Sequence, residues 1–356
     1  DRSPSRGLGD VYKRQVIETV LESFEKRMGP NSMIFQPIIK VLSTVFMIVL
    51  LSACQSVEKN TKLIAGTFNT ATNIQMKMLD RFAPPDVIVH NNIPYQASPE
   101  LNVDIYQPQN IEQLNAVPTV VWIHGGGWVS GSKEHARGYF KLLANQGFNV
   151  VSVEYQFAPE AIYPTQLQQV DHALNFLQLN AAQYHINPNQ LYLAGDSAGA
   201  NIASHYAALL TNPAFAQASN FKPSIQPKQL KGLILHCGIY DLYRFVNTAP
   251  EELRLIEWGV YNLVQAYTGE RKEDAAFLKA ISTSEHITPQ YPPVFISGGN
   301  KDFLTNSQSL PFVEVLKQHQ VAVTEAFYPD SKEFLVHEYQ FMMSKQAGQI
   351  LSLIHI

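Results

Sequence analysis

The sequence predicts an α/β fold in which a mostly parallel sheet is flanked by helices. Two observations carry this reading. From Thr119 onward, short apolar, β-branched runs alternate with amphipathic stretches of helical length, the pattern of buried strands joined by helical crossovers. The composition agrees: of 356 residues, 46% are hydrophobic and 16% charged, which suits a globular protein with a sizeable core.

In chain order, the segment 58–82 is polar and mixed, with a helix expected over 74–82 and ended by Pro84-Pro85. Two short alternating stretches follow, 86–90 and 101–106, and read as antiparallel strands. Buried strands are expected at 119–123 (TVVWI), 149–155 (NVVSVEY), 190–194 (QLYLA), 232–236 (GLILH), 293–297 (PVFIS) and 321–327. Helices are expected at 139–145, 166–179, 201–210 and 310–319. The segment 239–282 breaks the alternation. It is long and aromatic-rich, as lids and caps are. Its Tyr240, Tyr243, Phe245, Trp258, Tyr261 and Tyr267 either line a substrate pocket or pack the cap onto the sheet, and packing is the favoured expectation for each.

A formal charge of −4 gives no electrostatic reason to expect nucleic acid or anionic membrane surfaces as partners. The two cysteines, Cys54 and Cys237, exclude a disulfide framework and a cysteine-rich zinc site.

Two glycine-containing motifs carry the chemistry. Gly195-Asp196-Ser197-Ala198-Gly199 lies between an expected strand and an expected helix. In that context G-x-S-x-G is a sharp turn that lifts a serine hydroxyl out of the sheet, with small neighbours letting strand and helix approach. Ser197 is the candidate nucleophile. Upstream, His124-Gly125-Gly126-Gly127-Trp128 follows another expected strand. A tetrahedral oxyanion needs fixed N–H donors, and a glycine run leaves backbone amides unobstructed. Gly126, Gly127 and Ala198 are the expected donors, with His124 and Gly125 supporting the loop. A phosphate-binding loop is the alternative for such a run, but no G-x-G-x-x-G or Lys-Ser/Thr follows.

A serine nucleophile needs a general base and an acid to orient it, in the chain order Ser, acid, His on this type of fold. His205 lies on the helix leaving the turn, and His236 follows no acid-bearing strand. His286 precedes the acid, His319 sits on a surface-type helix and His355 falls in the last six residues. His337 is therefore the candidate base. Asp302, in the turn Ser297-Gly298-Gly299-Asn300-Lys301-Asp302 after a strand, is the candidate acid. Asp330 and Glu333 are its rivals, read as solvated loop charges.

Together HGGGW, GDSAG, the G-N-K-D turn and the late His resemble the hormone-sensitive-lipase-like and feruloyl-esterase-like branch of the α/β hydrolases. The segment Tyr155–Pro164 (YQFAPEAIYP) is similar to that family's Y-R-L-A-P-E-x-x-x-P stretch, with Gln156 in place of the usual Arg. The likeness runs from about Leu101 to His337. It implies an α/β-hydrolase fold with a helical cap, and hydrolysis of esters with small to medium acyl groups, with no metal and no organic cofactor. Where the family often has a small residue after the base, this chain has Glu338, expected to face solvent. An amide hydrolase of arylformamidase or peptidase type is the alternative on the same machinery. A non-catalytic binding lipoprotein is the alternative of a different class.

Both ends carry further expectations. Residues 1–32 and 351–356 read as flanks foreign to the gene, with Met33 or Met28 as its own start. Residues 33–53 read as a signal peptide: Lys40, an apolar run 41–51, then Leu51-Ser52-Ala53-Cys54, which resembles a bacterial lipobox. Cys54 is then the lipidated first residue of an exported protein anchored to the cell envelope, with Gln55 pointing to the outer membrane. A linker or cap segment is expected over 54–85 and the hydrolase domain over 86–350, with 239–282 inserted.

Overall fold

The computed structural model describes residues 56–114, 116–248, 254–342 and 347–348. The expected leader, lipobox Cys54 and tail 351–356 lie outside them. Eight strands form one sheet in the order β1-β2-β4-β3-β5-β6-β7-β8. They are β1 (Val87–Pro94), β2 (Asn102–Pro108), β3 (Val117–Ile123), β4 (Asn149–Val153), β5 (Ile186–Asp196), β6 (Leu230–His236), β7 (Val294–Gly298) and β8 (Val323–Phe327). The β1/β2 and β2/β4 pairs are antiparallel, and every pair from β4 to β8 is parallel. This is the expected fold class.

The central strands are apolar on both faces because helices cover both. Val120, Val121, Trp122 and Ile123 of β3 are all buried. Parallel pairing sets Ile123 opposite Gly195, so the loops leaving β3 and β5 open at one edge of the sheet. His236 at the end of β6 pairs with Ser297 of β7, which brings two further loops to that edge.

The flanking helices include α1 (Val57–Leu79), α2 (Arg137–Asn145), α3 (Thr165–Leu179), α4 (Ala198–Thr211), α5 (Pro213–Ala218), α6 (Leu242–Asn247), α7 (Arg254–Thr268), α8 (Ala275–Ala280) and α9 (Leu310–Gln318). Helix α1 corrects the expectation of a short helix over 74–82: it begins at Val57 and stops at Leu79. Its middle is rich in Thr and Asn, which lowers intrinsic propensity. Thr70 and Thr72 instead return their hydroxyls to the carbonyls of Gly66 and Phe68, at 2.7 and 2.9 Å. Helix α4 is buried along its whole length, which suits its apolar, Ala-rich sequence. It begins at Ala198, three residues before the expected start, directly behind Ser197.

The segment between β6 and β7 carries α6, α7 and α8. Its buried aromatics pack rather than line space. Tyr240 stacks on Phe312 with centroids 4.2 Å apart, and Tyr267 stacks on Trp128 at 4.5 Å. Phe245 lies beside Phe303. Tyr261 is exposed, with the Lys272 ammonium over its ring. Gln156, standing where the family has Arg, pairs its side-chain oxygen with Gln169 Nε2 at 2.7 Å, while its backbone N–H donates to Gln169 Oε1 at 2.9 Å. A neutral amide pair holds this strand-to-helix connection.

Candidate active site

The turn from β5 into α4 places Ser197 at φ +52°, ψ −117°, a backbone that side-chain-bearing residues avoid. Ser197 N–H donates to His236 O at 2.9 Å, which fixes the turn to the neighbouring strand. The flanking glycines are required by contact. A Cβ on Gly195 would lie 2.5 Å from Gly199 C, and one on Gly199 would lie 1.9 Å from Ile123 O. Ala198 is the first residue of α4, so its N–H has no intrahelical acceptor.

The oxyanion loop leaves β3 beside this turn. Gly126 and Gly127 adopt φ of +111° and +61°. A Cβ at Gly126 would meet Ser130 O at 2.2 Å, and one at Gly127 would meet Leu263 at 2.8 Å and Phe68 at 3.2 Å. Among the described residues, the N–H groups of Gly126 and Gly127 bond to no protein acceptor. Gly125 N–H is committed elsewhere, donating to Asp196 Oδ2 at 2.7 Å. Trp128 anchors the loop by donating from Nε1 to Asn201 Oδ1 at 3.2 Å.

His124 braces the loop. Its Nδ1 donates to Gly125 O at 2.8 Å, its Nε2 meets Glu154 Oε1 at 3.1 Å, and its ring stacks on Tyr155 at 4.3 Å. Tyr155 OH donates to His124 O at 2.9 Å. Burial disfavours the imidazolium, yet the Glu154 carboxylate outweighs it and holds the His124 pKa above its ordinary value. Lys133, buried next to this pair, donates its backbone N–H to Glu154 Oε2 at 3.1 Å and places its ammonium 2.8 Å from Asp104 Oδ1.

Asp302 and His337 come together from the loops after β7 and β8. His337 Nδ1 lies 2.8 Å from Asp302 Oδ2, and Asp302 Oδ1 accepts from Leu304 N–H at 3.0 Å. Asn300 ties the two loops: its Nδ2 donates to Ser331 O and Glu333 O, and its Oδ1 accepts from Leu335 N–H. Gly299 permits the approach, since a Cβ there would lie 2.2 Å from Leu335 O. Of the rivals, Asp330 is exposed and Glu333 contributes a backbone carbonyl to the Asn300 clamp.

The other histidines lie elsewhere. His205 is buried on α4 near the Tyr163 hydroxyl, and His236 is buried in the sheet against Ser297 Oγ. Burial pushes both pKa values down to about 3. His286 bonds Ala280 O and stacks on Phe215, and His319 ends α9.

Two participants escape a reading of local motifs. Cys237, at φ +42° just past β6, lies beside His337: its sulfur, an Asp302 oxygen and an imidazole nitrogen lie within 4.8 Å of one another. Burial pushes the thiol up to about 11, so at neutral pH it is uncharged. Burial works against a charged His337, but the Asp302 carboxylate bonded to its Nδ1 favours the charged form and holds its pKa above the ordinary histidine value. Among the described residues no hydrogen bond joins Ser197 Oγ to the imidazole, and such bonds in substrate-free enzymes often tighten only on substrate binding.

The second is Glu338, and here the expectation of a solvent-facing side chain is corrected. Its backbone is left-handed at φ +57°, and its side chain, 15% exposed, lines a small cavity together with Asp196. Burial and the Asp196 carboxylate push the Glu338 pKa up to about 8, and burial likewise raises that of Asp196.

The loops at this edge can thus supply a nucleophile, an oriented imidazole and an amide-lined anion site. The BD-FAE family model matches residues 103–316, which holds the oxyanion loop, the serine turn and Asp302. The chain belongs to the BD-FAE family. As a BD-FAE member it is an esterase-branch α/β-hydrolase, and its relatives agree. It is 25% identical over 251 residues to an acetyl esterase of Salmonella choleraesuis, covering 69% of this chain and 72% of that one. It is 25% identical over 235 residues to esterase LipQ of Mycobacterium tuberculosis, covering 64% of this chain and 52% of LipQ, about half its length. Among solved structures, an inhibited esterase B of Lactobacillus rhamnosis superposes with TM-score 0.72 at 20% identity, over 85% of this chain and 95% of that one. A Pyrobaculum calidifontis esterase gives TM-score 0.65 at 23% identity, over 85% and 92%. These two likenesses establish the fold.

Proposed function

We propose that this BD-FAE member hydrolyses carboxylic esters with small to medium acyl groups through an acyl-enzyme on Ser197. The observation that carries the reading is the strained Ser197 turn, set beside unpaired oxyanion-loop amides and served by the Asp302–His337 pair. Ser197 Oγ attacks the ester carbonyl as His337 takes its proton, and Asp302 holds the imidazole in the required tautomer. The N–H groups of Gly126, Gly127 and Ala198 stabilise the oxyanion. Collapse of the tetrahedral intermediate breaks the C–O bond, and the alcohol leaves with the proton from His337. Water, deprotonated by the same imidazole, then releases the acid and restores Ser197.

A modest acyl group is supported by the side chains of Leu263 and Phe68, which close over Gly127. The name of the Salmonella relative, an acetyl esterase, points the same way. Turnover of p-nitrophenyl acetate, butyrate and decanoate tests the reading. Acetate and butyrate are expected to turn over faster than decanoate, with Ser197→Ala inactive on all three. A folded protein silent on every ester refutes the reading, and a decanoate preference refutes the acyl size.

For the segment outside the described residues, we propose the export and envelope anchoring that Leu51-Ser52-Ala53-Cys54 supports, with Cys54 lipidated. Palmitate labelling in a bacterial host is expected for the wild type and lost in Cys54→Ala; equal labelling of both contradicts it.

A further inference from the structure

Asp196 immediately precedes the nucleophile, and Glu338 immediately follows the base. Neither has a role in the mechanism above, yet their carboxyl groups meet behind it. Asp196 is buried, and both its oxygens are engaged: Oδ1 accepts from Trp122 Nε1 and Oδ2 from Gly125 N–H, each at 2.7 Å. Glu338 faces this same carboxylate: it lines one small cavity with Asp196, whose Oδ2 lies 2.4 Å from where a Cβ on Gly125 would stand, and two buried acids this close favour a shared proton. Glu338 Oε1 lies 3.0 Å from where a Cβ on Gly125 would stand and 3.9 Å from His337 Nε2. Glu338 holds a left-handed backbone at φ +57°, which carries a cost for a residue with a side chain.

We propose that Glu338 is a positioning residue: its protonated carboxyl, bonded to Asp196, fastens the His337 loop to the serine turn and the oxyanion loop at once. The proposal rests on the esterase reading for its kinetic consequence but not for its structural one. Asp196 is the node, because it also receives Gly125 N–H of the oxyanion loop and Trp122 of β3. Through it the loop after β8 is registered against the loops after β3 and β5. One proton makes this joint. When both acids are ionised, the hydrogen bond becomes a buried repulsion and the joint opens.

The groups facing this pair set the pH at which that happens. On its own loop is His337, whose positive form favours ionised Glu338. From the oxyanion loop comes His124, which acts on Asp196 in the same sense. Asp302 after β7 opposes a second charge on Glu338, and Cys237 after β6 stands by as an uncharged thiol. His135 lines the small cavity shared by Asp196 and Glu338, but burial pushes its pKa down to about 4, leaving it neutral there. Burial and Asp196 dominate, which puts loss of the shared proton near pH 8. The sign follows: the joint is closed below that pH and lost as pH rises through it.

Glu338→Gln and Glu338→Ala, measured beside the wild type, test this. The Gln amide donates to Asp196 without titrating, whereas Ala leaves Asp196 without that partner. In the wild type kcat is expected to fall as pH rises through about 8. In Glu338→Ala it is expected to fall on the order of 10-fold or more at pH 7 with KM little changed, the signature of a misplaced base. Glu338→Gln is expected to recover most of that loss and to show no fall above pH 8. A Glu338→Ala enzyme with wild-type kcat and pH profile overturns the proposal, as does Glu338→Gln impaired to the same degree as Ala while folded. Difference infrared spectroscopy reads the joint without any turnover. A protonated carboxyl C=O band is expected at pH 7, titrating away near pH 8 and missing in Glu338→Gln. Its absence from the wild type refutes the shared proton, whereas its presence in a protein that cleaves no ester refutes the esterase reading alone.

Discussion

Replacing Lys133 by Met tests how the oxyanion loop is held. Lys133 Nζ sits 2.8 Å from Asp104 Oδ1, with side chains only 4% and 1% exposed. Asp104 also accepts Asn92 N–H at 2.8 Å, so the pair is hydrogen-bonded as well as enclosed. Removing one member of such a pair leaves an uncompensated buried charge and costs about 3–5 kcal/mol. For a domain of this size, each kcal/mol lowers Tm by roughly 2 °C, which gives a fall of about 6–10 °C. The chemistry is expected to survive, because the contact to Glu154, and through it to His124, is made by the Lys133 backbone N–H, which Met retains. Scanning calorimetry with kcat/KM at 25 °C reads both. The decisive control is Lys133→Met with Asp104→Asn. Removing both charges is expected to restore more than half of the lost Tm, since Asn keeps an acceptor for Asn92 N–H. A single variant that melts with the wild type, or a double variant no more stable than the single, refutes the reasoning.

Other outcomes follow from the same geometry. Asp302→Asn keeps the shape of the pair but favours the wrong imidazole tautomer, so kcat is expected to drop by roughly 10³–10⁴-fold with the melting temperature little changed; a loss below ~10-fold contradicts the assignment. Because only neutral His337 acts as base and the Asp302 carboxylate favours its charged form, the rising limb of kcat/KM against pH is expected to begin above the ordinary histidine range; a limb within that range contradicts this role of Asp302.

The sheet was legible because its strands are buried on both faces and so appear as uninterrupted apolar runs such as TVVWI and GLILH. The serine turn and the oxyanion loop were legible because their constraints are local. Gly195, Gly199, Gly126 and Gly127 occur where a Cβ collides or φ is positive, and such demands show directly as glycine spacing. Helix α1 was only partly legible, since its Thr-rich middle satisfies its hydroxyls within the helix and gives a weak apolar period. What could not be read are the contacts joined only by folding. Cys237 is a small apolar-like residue after a strand until the fold sets it against His337. Glu338 looks like a solvated loop charge, and only the fold places it in one cavity with Asp196. Asn300 likewise gives no sign that it clamps the base loop.

The central claim is that Ser197 carries the acyl group. Mass spectrometry after reaction with an alkyl phosphonate ester tests it most directly, because a phosphonylated nucleophile does not turn over. One adduct per chain is expected, on the peptide containing Ser197, together with complete loss of esterase activity and no adduct in Ser197→Ala. An adduct on another residue such as Cys237, or full activity remaining after Ser197 is modified, contradicts the account.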